Sequence, residues 1–92
     1  MARSGQNVNT TVRGMLAVFD SSDDPVTGLV NSAFTKYVAY NGADNSVTVT
    51  VAEIGNGRYG YTFIPNNIGY WHVMIVHSTY NPRGWQDEFD VS

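Results

Sequence analysis

The sequence contains no cysteine, which excludes both a disulfide framework and a thiolate metal site. Basic residues are few, with five lysines and arginines against eight aspartates and glutamates, and the formal net charge is −3. Because no basic cluster is available to meet a phosphate backbone, nucleic acid is not expected as a partner. Long apolar runs are also lacking and the first residues are polar. Neither a membrane span nor a signal peptide is therefore predicted.

The length and the distribution of polar residues predict one domain with an arm. Ninety-two residues suffice for a single hydrophobic core. Residues 1–10 are polar and rich in Asn, Ser, Gly and Thr, a composition that buries too little apolar surface to order itself. We therefore expect a flexible N-terminal arm over residues 1–10 and a single domain over residues 11–92.

Short alternating segments separated by turn signals fill the predicted domain. Three valines in residues 46–53 alternate with threonine or alanine, and aromatic residues in residues 58–64 alternate with small or polar ones. This period of two is typical of a half-buried strand, and Gly55-Asn56-Gly57 between the two segments predicts a tight hairpin turn. Further strands are predicted at residues 11–19, 29–40, 70–77 and 85–91. About six or seven short strands without a helical period predict an all-β fold, an antiparallel β-sandwich of the immunoglobulin-like type.

The second half of the chain resembles a known repeat family. It contains, in order, Gly57-Arg58-Tyr59, a strand, Pro65, the corner Gly69-Tyr70-Trp71, another strand and Phe89-Asp90-Val91. This order is similar to that of filamin-type and bacterial immunoglobulin-like repeats. The resemblance implies the same sandwich fold, but it says little about function because that architecture carries many unrelated roles.

A second resemblance concerns Phe19-Asp20, Pro25-Val26-Thr27-Gly28-Leu29 and the segment Glu53-Ile54-Gly55-Asn56-Gly57-Arg58-Tyr59. These motifs resemble small head-decoration, neck or tail proteins of tailed bacteriophages. The resemblance implies a non-enzymatic structural or accessory protein of the virion, made in the host cytoplasm and present as a homo-oligomer or in multiple copies. The partners that it implies are other virion proteins, namely the major capsid protein and portal, neck or tail subunits.

Residue types that carry chemistry are present without the spacing that chemistry requires. No Gly-x-Ser-x-Gly or His-Glu-x-x-His motif occurs, so a hydrolase has the least support, and we predict no catalytic residue, cofactor or metal ligand. His72 and His77 fall on opposite faces of one predicted strand and cannot ligate one metal ion together. Four aspartates in predicted turns carry the oxygen ligands that Ca²⁺ prefers, namely Asp20, Asp23, Asp24 and Asp44. Turn capping explains the same residues, because the alternating spacing of a dedicated calcium loop is missing.

The predicted strand at residues 70–77 has two unequal faces. If Trp71, Val73 and Ile75 point into the core, pleating directs an unusually apolar set outward. The following loop, predicted over residues 78–84, and its far end add aromatic and arginine side chains of the kind enriched at contact hot spots. The predicted interface consists of Tyr70, His72, Met74, Val76, Tyr80, Arg83 and Trp85.

Two alternatives to a protein interface stay open. A loop or strand of the same domain would cover the outward face of residues 70–77 and keep it from any partner. The aromatic side chains of the loop would instead serve a carbohydrate-binding or adhesion module if they formed an exposed flat platform.

Overall fold

The structure, a computed structural model, describes residues 3–92 as eight β-strands and a short 3-10 turn at Asn31–Ala33. In chain order the strands are β1 Arg3–Gln6, β2 Val12–Ala17, β3 Thr35–Tyr40, β4 Ala43–Asp44, β5 Thr50–Gly55, β6 Arg58–Phe63, β7 Gly69–His77 and β8 Asn81–Val91. Two of these strands, β1 and the short β4, lie in segments that the sequence patterns assign to an arm and a turn.

The strands form two sheets that pack against each other. One sheet has five strands in the order β1-β8-β7-β3-β4, and the other has three in the order β2-β6-β5. All neighbours are antiparallel except β1, which runs parallel to β8. Six of these strands, β2, β3 and β5 to β8, are arranged like the second to seventh strands of a constant-type immunoglobulin sandwich. The predicted all-β, immunoglobulin-like sandwich is confirmed.

Alternating side chains of both sheets fill the space between them. The aromatic residues buried there include Tyr59, Tyr61, Phe63, Trp71 and Phe89. Phe63 packs with its ring centroid 5.4 Å from that of Phe89 and 6.0 Å from that of Trp71. The Trp71 indole donates a hydrogen bond to the Asn67 carbonyl at 3.0 Å, so its polar nitrogen is satisfied.

Two Asn-Gly pairs make the tight turns of the fold. Asn56 and Gly57 join β5 to β6 with φ angles of 54° and 79°, and Asn41 and Gly42 join β3 to β4 with 48° and 85°. Two consecutive positive φ values define the type I′ turn, whose twist matches that of the flanking strands. The hairpin turn predicted at Gly55-Asn56-Gly57 is thus present.

The segment predicted as an arm has a defined place in the structure from residue 3 onward, whereas residues 1 and 2 lie outside the described residues. β1 pairs with the last part of β8. Beyond β1, the Val8 amide donates to the Ser92 carbonyl at 2.9 Å and the Asn9 amide to the Pro65 carbonyl at 2.8 Å. These bonds use backbone groups alone, so side-chain composition does not reveal them. Flexibility of the segment in the free protein stays a prediction.

Several predicted boundaries differ from the structure. The strand expected over residues 46–53 begins only at Thr50, and the strand expected over residues 11–19 ends at Ala17. The strand expected over residues 29–40 begins only at Thr35, because a 3-10 turn precedes it and the Asn31 side chain accepts a hydrogen bond from the Val51 amide at 2.8 Å. The loop expected over residues 78–84 is a short turn, because β8 already begins at Asn81. The partner of the Asn31 side chain is 20 residues away in the chain, whereas at the short turn the side chains of His77 and Asn81 accept hydrogen bonds from backbone amides only two or three residues away.

Candidate functional site

The outer face of the five-stranded sheet contains the predicted interface residues of β7. Trp71, Val73 and Ile75 are buried in the core, as the alternation predicts. The residues between them point away from the three-stranded sheet and are half-buried, namely Tyr70, His72, Met74 and Val76. Within residues 3–92, no strand of either sheet lies over this face. The alternative of a covering strand from the same domain therefore finds no support in the described part of the chain.

One end of this outer face is polar. The Tyr70 hydroxyl donates a hydrogen bond to the Glu88 carboxylate, and His72 Nε2 lies 3.0 Å from Gln86 Oε1. The hydrogen bond with Glu88 raises the pKa of the Tyr70 hydroxyl, and the same bond lowers the pKa of the Glu88 carboxyl. Because β8 runs antiparallel beside β7 with His72 opposite Glu88, these side chains form a continuous polar row.

The other end of the face is apolar, and we call Tyr37, Met74 and Val76 the apolar patch. A Cβ atom added at Gly84 would lie 2.8 Å from Met74 Cγ and 3.0 Å from Val76 Cγ2, so both side chains rest on the bare backbone of that glycine. Tyr37 of β3 pairs with Met74 in the ladder and is 54% exposed. Exposed apolar side chains that cluster on one side of a polar row are typical of a contact surface.

The remaining predicted interface residues do not join this face. Tyr80 lies at the turn between β7 and β8, is 37% exposed and packs against His77 with 4.8 Å between ring centroids. Arg83 is exposed near the start of β8. Trp85 pairs with Ile75 and lies on the core side. Its ring packs edge-on against that of Phe34, with 6.1 Å between the ring centroids. The register of β8 turns the half-buried Trp85 indole to the opposite side of the sheet from the outer face, and its part in an interface stays a prediction.

His77 has a structural role at the same turn. It is buried, and its Nδ1 accepts hydrogen bonds from the backbone amides of Thr79 at 3.1 Å and Tyr80 at 3.2 Å. A ring nitrogen that accepts two amides fixes the turn, and the ring stacks on Tyr80. His72 lies on the opposite side of the sheet, as its position in the strand predicts.

One aspartate of the predicted turns, Asp20, caps the backbone. Asp20 Oδ1 accepts hydrogen bonds from the amides of Ser22 at 2.9 Å and Asp24 at 3.0 Å. Among residues 3–92, no three histidine, aspartate or glutamate side chains are grouped so that they could hold a metal ion. A search of the same residues for a helix long and apolar enough to cross a bilayer finds none.

Sequence reasoning missed three side chains of the outer face: Tyr37, Gln86 and Glu88. Each lies on a strand next to β7, and each reaches the face only through the pairing register. The alternation within β3 and β8 hints at an outward direction, but the sequence carries no signal for which outward residues become neighbours.

The fold is similar to that of a solved domain. The crystal structure of the Lin-41 filamin domain matches with a TM-score of 0.70 and 18% identity, over 95% of this chain and 81% of that one. No family model matches the chain, and no curated protein matches it. Identity at this level establishes the fold alone. The chain is thus an immunoglobulin-like β-sandwich, as the resemblance to filamin-type repeats implied, and its role has to be inferred from its surfaces.

Proposed function

We propose that this chain is a non-enzymatic attachment protein that binds other proteins through the outer face of its five-stranded sheet. The virion of a tailed bacteriophage, as a capsid decoration, neck or tail component, is the setting that the sequence motifs imply. Its partners there are the major capsid protein or portal, neck and tail subunits, and it acts in multiple copies.

One observation carries this proposal: the outer face combines the apolar patch with an ordered polar row. A protein interface needs an apolar centre that excludes water and polar groups at its rim that set the orientation. Met74 and Val76 supply the first, and the paired side chains of Tyr70 and Glu88 supply the second. A stable interface needs about 800 Å² per partner, which is more than the apolar patch alone provides. The polar row, which lies on the same face, is the natural addition.

The carbohydrate-binding alternative has less support from the structure. A sugar platform needs flat aromatic rings that are exposed side by side. Trp71 is buried and Trp85 packs on the core side. Tyr37 lies in β3, whereas Tyr80 lies in the turn between β7 and β8, so the two rings are not side by side. A glycan array is expected to show no specific binding, and a strong signal for one sugar class would favour this alternative.

The virion setting is tested by gene position and by particle composition. We expect the gene to lie beside a capsid or portal gene, and the chain to be detected by mass spectrometry in purified particles of the phage that encodes it. A gene among metabolic genes, or particles that contain none of the chain, would contradict the virion setting and leave the attachment surface to be tested separately.

The surface itself is tested by placing charge in the apolar patch. The double change Met74→Asp, Val76→Asp should abolish attachment, because charges buried in a contact cost several kcal/mol without a partner. The single change Tyr37→Asp tests the same patch at a residue that is 54% exposed and cannot disturb the core. Ile54→Asp on the other sheet, at 55% exposure, is the matched control.

Attachment is measured by sedimentation of the variants with particles that lack the protein, with circular dichroism as the check of folding. Both patch variants should stay in the supernatant, while the control should sediment with the particles. Full attachment by Tyr37→Asp and by a folded double variant would remove this face from the mechanism.

A further inference from the structure

The strand β2 forms one edge of the three-stranded sheet. It pairs with β6 on one side, and among residues 3–92 no strand lies on its other side. In a constant-type immunoglobulin sandwich the first strand pairs at this position. Here β1 pairs instead with β8 in the opposite sheet. The position beside β2 is therefore open to a further strand.

The hydrogen-bonding direction of β2 identifies which backbone groups face this edge. The Val18 amide donates to the Gly57 carbonyl at 2.7 Å, so the backbone N–H of Val18 points toward β6. The backbone groups of successive residues in a strand point to alternate sides. Those of Leu16 therefore also point toward β6, whereas Met15 and Ala17 direct their N–H and C=O groups to the outer edge. A row of such groups is a template for pairing with another extended chain.

Other edges of the two sheets are protected in ways that β2 is not. β5 has a bulge between Glu53 and Gly55, and its Val51 amide donates a hydrogen bond to the Asn31 side chain at 2.8 Å. β4 spans only two residues. β2 contains no proline and no lysine, and its ladder with β6 has no bulge. Natural proteins use these devices and charged side chains against edge pairing, and β2 carries only one of them, the single charge of Arg13, so it is the least protected of these three edges.

We propose that β2 pairs antiparallel with β2 of a second copy of this chain, in a register centred on Met15. In this register Met15 faces the Met15 of the second copy and exchanges two backbone hydrogen bonds with it. Its side chain, which is 62% exposed, packs against its counterpart on the sheet surface. Homodimers with twofold symmetry use the same patch on both subunits, and a strand that faces itself meets this condition.

Charge selects this register over its neighbour. Arg13 is the one charged residue of β2. A register centred on Arg13 would place two guanidinium groups directly opposite each other, which is destabilising. Centred on Met15, each Arg13 faces Ala17 of the other copy. At about 3.3 Å per residue the two arginines are then about 13 Å apart, beyond the screening length of about 8 Å at physiological ionic strength.

The dimer has a consequence for attachment. The twofold axis of an antiparallel strand pair stands perpendicular to the sheet, so the two three-stranded sheets join into one six-stranded sheet. Both five-stranded sheets then lie on the same side of it, and their outer faces point in one direction. Under the proposed function, a dimer would present two attachment faces to one surface and gain affinity through a second, intramolecular binding event. The dimer itself does not depend on that function.

Opposite charges at position 15 test the register directly. Met15→Lys and Met15→Glu each place like charges face to face and should weaken self-association by about tenfold or more, equivalent to about 1.4 kcal/mol. An equimolar mixture of the two variants should restore the dimer as a mixed pair. Ile54→Lys is the control, because Ile54 is exposed to a similar degree on the same sheet, but on β5 at the far side.

Sedimentation equilibrium over micromolar to millimolar concentrations gives the dissociation constants, and circular dichroism confirms that each variant is folded. The wild type and the Ile54→Lys variant should dimerise equally well. A wild type that stays monomeric over the whole range would overturn the proposal. Variants at position 15 that dimerise as tightly as the wild type would overturn the pairing through β2, and a mixture that stays monomeric would overturn the register centred on Met15.

Discussion

The two Asn-Gly turns of the fold allow the cost of backbone strain to be separated from the cost of crowding. Gly57 and Gly42 occupy the same place in their type I′ turns, with φ of 79° and 85°. A Cβ atom at Gly57 would lie 2.8 Å from both Pro25 Cβ and the Val18 carbonyl oxygen, whereas at Gly42 it would meet no heavy atom within 4 Å. The changes Gly57→Ala and Gly42→Ala therefore share the strain and differ in the crowding.

The expected magnitudes follow from this difference. A residue with a Cβ atom at positive φ costs about 1–2 kcal/mol, which is the whole expected effect of Gly42→Ala. Crowding in a packed region adds about 1–3 kcal/mol, so Gly57→Ala should cost about 2–5 kcal/mol. A domain of this length is stable by about 5–14 kcal/mol, so Gly42→Ala should still show a folding transition, as should Gly57→Ala wherever the wild-type stability exceeds about 5 kcal/mol.

Urea denaturation followed by tryptophan fluorescence measures both free energies of unfolding by linear extrapolation. All samples should be kept at one low protein concentration, because any self-association would raise the apparent stability. Thermal melts give a second measure, at about 4–8 °C per kcal/mol. Equal losses of stability in the two variants would show that crowding against Pro25 and Val18 is unimportant, and the close packing of segment 18–25 on the hairpin would have to be rejected.

Two further outcomes can be checked. Tyr70→Phe removes the hydrogen bond that lowers the pKa of Glu88, so NMR titration should show that pKa rising toward its usual range, and an unchanged Glu88 titration would refute the bond. A carboxyl group whose pKa is lowered on folding stabilises the protein above its unfolded pKa, and this contribution is lost as the pH falls through the folded pKa. The variant should therefore also lose less stability in acid than the wild type. Gly14→Ala should destabilise by about 1–3 kcal/mol, because the Tyr61 ring lies where the new Cβ atom would be; a variant with wild-type urea stability would contradict this packing.

Several features of the molecule follow from local sequence alone. The burial of Tyr59, Tyr61 and Phe63, and the two faces of β7, were predictable because a pleated strand alternates its side chains whatever its neighbours are. The turn at Asn56-Gly57 was predictable because few residue pairs accept two successive positive φ values. Each of these properties involves only residues that are close together in the chain.

Only the tertiary structure decided which strands became neighbours. Strand pairing is made by backbone groups that every residue carries, so nothing in residues 3–6 indicates that they pair with β8, or that β2 is left at an edge. The register, in turn, placed Glu88 beside Tyr70 and directed Trp85 into the core. A shift of one residue would have reversed both directions, and that choice depends on packing between segments distant in the chain.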